Sequence, residues 1–251
     1  MSSPVRVLLV GAAGRMGRAI KRAAEAQSDI IITAECDLGD ILDHSIPRCD
    51  VVIDFSHPDA TEQNCAACVA SEKPIVIGTT GHSRAQVAVI EDAAKSIPLL
   101  LASNFSVGVN ALFWLTQRAA QLLGDTFDIE IVETHHRFKK DAPSGTAKRL
   151  AQILCEARSL QYDKDVLHGR EGTPGERSNT EIGIHAIRAG DVVGDHTVIF
   201  AAPGERLELT HKASSRETFA VGALRAARWI IGKPARLYSM EDVLGLAETA
   251  R

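Results

Sequence analysis

Residues 5–26 read VRVLLVGAAGRMGRAIKRAAEA and carry the strongest fold signal in the chain. Residues 5–10 form a short, almost wholly apolar run rich in valine, which is typical of a strand buried on both faces of a parallel sheet. Residues 18–26 are rich in alanine and have good helix propensity. Because Gly11, Gly14 and Gly17 lie between the two runs, this stretch predicts a strand, a glycine turn and a helix.

The same alternation continues through the first hundred residues. It predicts four further strands and two further helices, with the strands at 30–35, 51–55, 75–78 and 99–102 and the helices at 60–71 and 85–95. Strands separated by helices of this length imply right-handed crossovers. The N-terminal part of the chain is therefore predicted to be an α/β fold with a doubly wound parallel sheet.

The pattern changes after residue 110. Helices are predicted at 110–123 and 146–158, with an alternating strand at 128–133 between them. After a loop rich in glycine and proline, three strand-like runs at 182–188, 197–201 and 207–212 follow without room for helices. Turn chemistry at Ala202-Pro203-Gly204-Glu205 fits a hairpin. Strands joined in this way predict a second domain on an antiparallel or mixed sheet, and a last helix is expected at 218–231.

Composition excludes several classes of protein. A chain of 251 residues fits one large domain or two smaller ones. Its net charge of -4 argues against a general nucleic-acid binder. No apolar run approaches the ~20 residues of a membrane span, and no secretory segment is apparent at the N-terminus. Five scattered cysteines make a disulfide framework unlikely by number alone, so a reducing, cytoplasmic setting is expected.

The glycine turn is a candidate dinucleotide site. Glycines let a phosphate approach a helix N-terminus, where unpaired N–H groups favour an anion. Asp37 lies twenty residues beyond Gly17, where an acid is expected to bind a ribose hydroxyl. The alternative is a turn that only permits tight packing of strand and helix. No arginine follows Asp37, and Asp40 adds a second negative charge, so NADH is favoured; Arg15 keeps NADPH open.

Residues 130–147, EIVETHHRFKKDAPSGTA, suggest a second site. Ser144 is expected to cap a helix after a strongly basic loop. Such a loop beside a helix N-terminus suits a substrate that bears carboxylates, histidine can pass a proton, and lysine can donate one. A solvated charged loop is the alternative. Five basic side chains crowd into six positions: His135, His136, Arg137, Lys139 and Lys140.

This stretch, read as E-x-x-E-x-H-x-x-x-K-x-D-x-P-S-G-T-A, resembles the signature of the dihydrodipicolinate reductase family, which acts in the diaminopimelate route to lysine. The resemblance covers nearly the whole chain. It extends to GAAGRMG at 11–17, DFSHP at 54–58, GTTG at 78–81, SNFSVGVN at 103–110, RAGDVVGDH at 188–196 and GERLELTHKASSR at 204–216.

The resemblance implies a Rossmann-like cofactor domain of residues 1–106 and 216–251, and an α+β substrate domain of residues 107–215 on a mixed sheet. It implies a homotetramer that reduces 4-hydroxy-tetrahydrodipicolinate with NADH or NADPH, with loss of water and without a metal. His135 would be the proton donor and acceptor and Lys139 the proton donor. Substrate carboxylates would contact His136 and the backbone of Gly145 and Thr146. The cofactor would contact Gly11, Ala12, Ala13, Gly14, Arg15, Met16, Asp37, Gly78, Thr79, Thr80, Ala102, Ser103, Asn104 and Phe105.

The chain departs from the family pattern at a few positions. Phe138 replaces a third histidine, Lys140 replaces a small apolar residue, Asp37 replaces a glutamate, and the segment 38–49 is short. Two other interpretations remain: a different NAD(P)-dependent dehydrogenase of similar build, acting on a sugar or an amino acid, and a cofactor-binding sensor without turnover. The C-x-x-C pair Cys65 and Cys68 lies inside a predicted helix, so a packing role is expected.

Overall fold

The computed structural model describes residues 3–37 and 39–246, and these form two compact units. One unit contains the described residues up to Val107 and from Glu217 onward, and the other is Gly108–Arg216. Parts of the sequence-based predictions lie outside the described residues: the expected domain ends at 1–2 and 247–251, and Leu38 in the short segment 38–49.

The first unit is built from alternating strands and helices. Its elements are β1 (Val5–Val10), α1 (Arg15–Glu25), β2 (Ile30–Cys36), β3 (Val51–Asp54), α2 (Thr61–Ala70), β4 (Ile75–Ile77), α3 (Arg84–Ala93) and β5 (Pro98–Leu101).

The second unit begins within a long helix and continues as a mixture of strands and helices. Its elements are α4 (Val107–Leu123), β6 (Asp128–His135), α5 (Gly145–Arg158), α6 (Tyr162–Asp165), β7 (Val166–His168), β8 (Ile182–Arg188), β9 (Gly194–Ala202) and β10 (Glu205–Ala213). The chain then returns to the first unit as α7 (Glu217–Ile230), β11 (Arg236–Tyr238) and α8 (Met240–Leu244).

The sheet of the first unit is parallel throughout, in the order β11-β5-β4-β3-β1-β2. Its strands are apolar on both faces because helices cover both. Val7, Leu9 and Ile53 pack in the apolar layer that contains α1 and α7. Leu8 and Val52 pack in the opposite layer with α2 and α3. The prediction of a doubly wound sheet is thus confirmed.

The sheet of the second unit is mixed, in the order β10-β9-β6-β8-β7. β9 runs antiparallel to both β10 and β6, whereas β6, β8 and β7 are parallel. Alternate residues of β6, including Ile129 and Ile131, are buried in a core shared with α4 and α5. The same alternation places Glu133 and His135 on that helix-covered side.

Four short elements were not predicted from the sequence: α6, β7, β11 and α8. The two strands have three residues each, too few for the alternation of side chains to give a signal. β11 extends the parallel sheet beside β5. β11 is therefore the sixth strand of the sheet, and it is recognised by its backbone pairing and not by a pattern in the sequence.

All five cysteines are free and buried. Cys65 and Cys68 lie in α2, and burial raises the pKa of the Cys65 thiol to about 12 and that of Cys68 well above its usual value. These thiols are neutral packing groups, as expected. In the described part of the chain, no helix has the length and apolar character needed to cross a membrane.

Candidate active site

The glycine turn of the first unit requires glycine for steric reasons. Gly11 has a φ of +80°, and a Cβ at this position would overlap the carbonyl group of Phe55. A Cβ at Gly17, in the first turn of α1, would overlap the backbone of Gly11 and Ala12. The amide of Gly11 binds the turn to the neighbouring strand β2, because Gly11 N donates to the carbonyl oxygen of Cys36 at 2.8 Å. The turn is therefore held against β2 and β3.

No side chain caps the N-terminus of α1. Gly14 is the N-cap residue and has no side chain that could accept from the first amides of the helix. Ala13, Gly14 and Arg15 are exposed here, whereas Ala12 is fully buried. A helix start that is exposed and uncapped leaves backbone N–H groups available to an anion. This donor set fits the pyrophosphate of a dinucleotide.

A cavity of about 640 Å³ opens beside this turn in the first unit. Its walls include the acids Asp37, Asp40 and Asp59. The Asp37 carboxylate accepts from Ala13 N at 3.0 and 3.1 Å, and the Asp40 carboxylate accepts from Asp37 N at 2.8 Å. The acid that the sequence assigned to the ribose thus lies directly against the glycine turn. An acid-lined wall of this kind suits ribose hydroxyls and repels an added phosphate.

Asp54 organises the loops at the carboxyl ends of β3 and β4. It is fully buried, and its carboxylate accepts from Ser56 N at 2.8 Å, Asn64 Nδ2 at 2.9 Å and Thr79 Oγ1 at 3.1 Å. Gly78 lies against the Phe55 ring, where a Cβ would overlap it. Asp54 therefore fixes Thr79 in place, while Thr80 next to it is exposed. No role was assigned to Asp54 from the sequence.

The remaining predicted cofactor residues follow β5 or lie in α1. Phe105 is buried, and its ring centroid lies 5.4 Å from that of Phe55. Ala102 N donates to the carbonyl oxygen of Ile77 at 3.1 Å, and Asn104 Oδ1 accepts from Ser106 N at 2.9 Å. Exposure varies across the set: Ser103 is exposed, whereas Met16, Ala102 and Asn104 are half-buried. All fourteen predicted cofactor residues belong to the first unit.

In the second unit, a buried carboxylate holds His135. Glu133 has no exposed surface, and its Oε2 lies 2.5 Å from Nδ1 of His135. Arg188 on β8 donates to both oxygens of Glu133, at 2.8 and 2.9 Å. A Cβ at Gly194 would lie 3.0 Å from Nε2 of His135, so the glycine leaves space beside that nitrogen.

The same carboxylate reaches the start of α5. Ser144 N donates to Oε1 of Glu133 at 3.0 Å. Ser144 is the N-cap of α5, as predicted, and its Oγ accepts from Ala147 N at 3.2 Å. Ser144 Oγ also lies 3.1 Å from Nε2 of His196, which is buried on β9. The histidine and the helix start are therefore parts of one hydrogen-bond network.

This environment separates the protonation states of its members. Burial opposes ionisation of Glu133, but its hydrogen bonds with His135, Arg188 and Ser144 outweigh burial and lower its pKa to about 2. Burial is also the main reason that the pKa of His196 falls to about 4, and the neighbouring His135 adds to the effect. At neutral pH, the network therefore contains an ionised Glu133 and a neutral His196.

The basic loop continues from His135 toward α5. Lys139 Nζ lies 2.9 Å from Oδ1 of Asp141, and this hydrogen bond is the main reason for the lowered pKa of Asp141. The loop is fastened to the residues before β9, since Arg137 N donates to the carbonyl oxygen of Gly190 at 3.1 Å.

Exposure varies among the predicted substrate residues and their neighbours. His136 is half-buried, and Phe138 is 79% exposed. Gly145 is exposed and Thr146 half-buried at the start of α5. All five predicted catalytic and substrate residues belong to the second unit.

Glu133, Arg188 and His196 were quoted in sequence motifs but received no role. Glu133 gave one usable signal, because it occupies the same alternate positions of β6 as the buried Ile129 and Ile131. An acid at such a position requires a partner. Its partner could not be read from the chain, since Arg188 lies 55 residues away and is brought alongside only by the pairing of β6 with β8.

Comparison with known proteins supports the predicted family. Family models described as dihydrodipicolinate reductase, N-terminus and C-terminus, match residues 5–105 and 108–244. A 4-hydroxy-tetrahydrodipicolinate reductase of Akkermansia muciniphila is 56% identical over 97% of this chain and 99% of its own. One from Syntrophotalea carbinolica is 46% identical over 96% of this chain and 99% of its own.

Among solved structures, a dipicolinate-bound dihydrodipicolinate reductase from Paenisporosarcina sp. TG-14 has a similar fold, with a TM-score of 0.76 and 22% identity. The similarity covers 94% of this chain and 97% of that one. These matches define the class of protein, a Rossmann-like oxidoreductase. The chain belongs to the dihydrodipicolinate reductase family, and the resemblance stated from the sequence is confirmed.

Proposed function

We propose that this protein catalyses the NAD(P)H-dependent reduction of 4-hydroxy-tetrahydrodipicolinate to tetrahydrodipicolinate, with loss of water, in the diaminopimelate pathway of lysine biosynthesis. The observation that carries the proposal is the second unit's network, in which Glu133 holds both His135 and the capped start of α5. Its residues coincide with the signature of a family to which 56% and 46% identical relatives named for this reaction belong.

The substrate is a ring with two carboxylates, and we assign its binding to the basic loop and the start of α5. His136 and the backbone amides of Gly145 and Thr146 hold one carboxylate. The helix N-terminus favours a negative charge at that place. Fixing the ring in this way supplies much of the rate enhancement, because it replaces random encounter by a held geometry.

The cofactor residues of the first unit hold the dinucleotide. Gly11, Gly14 and the first turn of α1 bind the pyrophosphate, and Asp37 binds the adenosine ribose after releasing Ala13 N. When bound, the reduced nicotinamide supplies a hydride to the unsaturated ring. Thr79 and Thr80, and the segment from Ala102 to Phe105, line the rest of that site.

Proton transfer is assigned to the second unit. Lys139 donates a proton to the ring carbon adjacent to the one that receives the hydride, so that one hydride and one proton complete the reduction. His135 is the proton donor and acceptor that exchanges the proton with Lys139 or with the departing hydroxyl, through its Nε2. A histidine has two ring nitrogens, so one can exchange a proton while the other keeps its hydrogen bond, which suits this role.

NADH is proposed as the better cofactor. Asp37 and Asp40 place two carboxylates at the wall of the cavity beside the glycine turn. A 2′-phosphate at this place would be repelled by both. Arg15 is exposed and could offset the repulsion, so some activity with NADPH is expected.

A homotetramer in the cytoplasm is also proposed, on the basis of the family. The second sheet supports self-association, because the face opposite α4 and α5 carries apolar side chains such as Ile187, which is 46% exposed. Free, buried cysteines support a reducing compartment.

The proposal is tested by a coupled assay. Aspartate semialdehyde and pyruvate are condensed enzymatically, and the consumption of NADH or NADPH is followed in the presence of the purified protein. We expect consumption that requires both precursors, and faster consumption of NADH than of NADPH. Binding of NADH without consumption would overturn the proposal in favour of a cofactor-binding sensor, and a strong preference for NADPH would show that Arg15 outweighs Asp37.

A further inference from the structure

Glu133 occupies an unusual position in the second unit. It is a fully buried carboxylate whose oxygens are approached from three separate segments of chain. Oε2 faces His135 and Arg188, and Oε1 faces Ser144 N and Arg188, at distances of 2.5 to 3.0 Å. A buried ion pair of this kind costs desolvation free energy, so its presence beside a proton-transfer group calls for a role other than stability.

We propose that Glu133 is a positioning residue, which holds His135 in the tautomer protonated at Nδ1 and keeps the start of α5 in register with that ring. The inference rests on the proposed function, in which His135 transfers a proton and the first amides of α5 hold a carboxylate. Glu133 does not contact the substrate in this assignment. It acts through its two neighbours.

The tautomer follows from the chemistry of the two groups. An ionised carboxylate can only accept hydrogen bonds, so the proton of the short contact must lie on Nδ1 of His135. In the neutral ring, Nε2 is then the nitrogen that gains or loses a proton, and it is the one beside Gly194. Arg188 stabilises the negative charge on Glu133 and so keeps the proton on the ring.

The connection to α5 is made by the other oxygen. Ser144 N donates to Oε1, and Ser144 is the N-cap whose hydroxyl holds Ala147 N. One rigid carboxylate therefore sets the distance between the proton-transfer ring and the helix start that receives the substrate. His196 is another titratable group beside His135, with ring centroids 5.1 Å apart, and it does not replace the contact at Nδ1.

The contacts also determine what the substitution Glu133→Gln does. An amide offers one acceptor oxygen and one NH₂ donor, yet every neighbour of Glu133 is a donor. The backbone amide of Ser144 and the guanidinium of Arg188 cannot become acceptors, whereas a histidine can. The lowest-energy arrangement places the amide oxygen toward Ser144 and the NH₂ group toward Nδ1 of His135. The His135 ring must then carry its proton on Nε2.

The test is ¹⁵N NMR of the histidine rings in the full-length protein at a pH where they are neutral, with the His135 signals assigned by His135→Asn. We expect the Nδ1-protonated tautomer in the wild type and the Nε2-protonated tautomer in Glu133→Gln. We also expect kcat to fall about a hundredfold in that variant, with the KM for NADH unchanged, because the ring can no longer accept a proton at Nε2.

Glu130→Gln is a matched control. Glu130 lies three positions earlier on β6, and its carboxylate binds Arg170, Arg177 and Nε2 of His185, the last at 2.8 Å. Its pKa is likewise lowered to about 2, because hydrogen bonds from these partners outweigh burial. The control variant should change the ring signals of His185 and leave both the tautomer of His135 and kcat as in the wild type.

Glu133→Asp gives a second comparison if the Gln variant fails to fold. Aspartate keeps an acceptor-only group but shortens its reach, so His135 should stay protonated at Nδ1 while kcat falls less than in Glu133→Gln. An Nε2-protonated His135 in the wild type or in Glu133→Asp, or loss of activity no greater than in Glu130→Gln, would overturn the proposal. Absence of reductase activity in the wild type would instead contradict the proposed function and leave the tautomer measurements valid.

Discussion

His135 and His196 are neighbours with different surroundings. Their rings meet edge to face, with centroids 5.1 Å apart. His135 has an ionised carboxylate at Nδ1, whereas Nδ1 of His196 has no hydrogen-bond partner among the described residues. A charge on His135 is compensated by Glu133, but a charge on His196 would be buried without such a partner. His135 is therefore suited to exchange protons, whereas His196 is suited to remain neutral.

Lys139→Ala tests the assigned proton donor. Removing the amine should lower kcat by about a hundredfold or more, since a positioned acid contributes on this scale. Binding of NADH, followed by its fluorescence, should be unchanged because the cofactor residues belong to the other unit. Lys164→Ala, which removes an exposed lysine from α6, is the control and should have no effect. Turnover at the wild-type rate would remove Lys139 from the mechanism.

The neutral state of His196 predicts how stability depends on pH. Its pKa is about 4 in the folded protein and 6.5 in the unfolded chain, so unfolding binds a proton as the pH falls between these values. Stability is therefore complete above pH 6.5 and declines toward pH 4, by roughly 3 kcal/mol in total. The pKa of His211 is lowered by burial, which adds a decline in the same direction.

Urea unfolding from pH 8 to pH 4 measures this decline. In His196→Gln the fall in unfolding free energy over that range should be smaller than in the wild type, while the exposed His57→Gln should not differ. Glu133 behaves differently: its pKa is lowered from 4.5 to about 2, so its contribution persists above pH 4.5 and is lost as the pH falls through 2. An identical slope in His196→Gln would contradict the assignment of a buried, neutral ring.

The strands and long helices were predicted well because each has a repeated pattern. β8 was predicted at its observed bounds, whereas β6 was predicted two residues short and β9 four residues short. The missing residues include Thr134 and His135 at the end of β6, and Asp195 and His196 at the start of β9. These side chains are polar and interrupt the apolar alternation. They are nevertheless in the strands, because backbone pairing and the hydrogen-bond network with Glu133 compensate for their polarity.

Gly222→Ala tests the packing of α7. Alanine in a helix is favoured over glycine by about 1 kcal/mol, so propensity alone predicts stabilisation. A Cβ at Gly222, however, would overlap the carbonyl oxygen of Phe105. Overpacking against backbone costs about 1–3 kcal/mol, and we therefore expect a lower melting temperature.

The neighbouring Val221→Ala provides the comparison for that experiment. Val221 is in the same helix but 46% exposed, so its truncation should leave the melting temperature close to that of the wild type. A melting temperature that rises in Gly222→Ala would show that α7 shifts without cost, and that Phe105 does not fix its position.

At the scale of the whole molecule, the sequence predicted the fold of both units and proposed two sites, but it did not show which contacts connect the residues of each site. The glycine turn and the Pro-Ser-Gly-Thr cap were found because they are contiguous in the chain. Asp54 binds Asn64 in α2 and Thr79 in the loop after β4, and Glu133 binds residues from three different segments. Such contacts depend on the order of strands in the sheet, and this order cannot be read from a single sequence.

Assembly is a property of the whole molecule that Ile187→Lys can test. We expect the wild type to have four times the chain mass of 27.0 kDa in light scattering. A lysine in place of the exposed Ile187 would place a charge in an apolar contact between copies and should lower that mass. The control is Val221→Lys, which places a lysine at an exposed position of the first unit. A monomeric wild type would contradict the proposed homotetramer.

Because all five thiols are buried, their reactivity can report transient opening of the packing around them. Cys36, Cys49, Cys65 and Cys68 belong to the first unit, and Cys155 belongs to the second. A maleimide can react only after the surrounding packing separates, so the alkylation rate of each thiol follows the opening of its own unit. Mass spectrometry after timed labelling should show NADH protecting the four thiols of the first unit, while the rate at Cys155 stays constant.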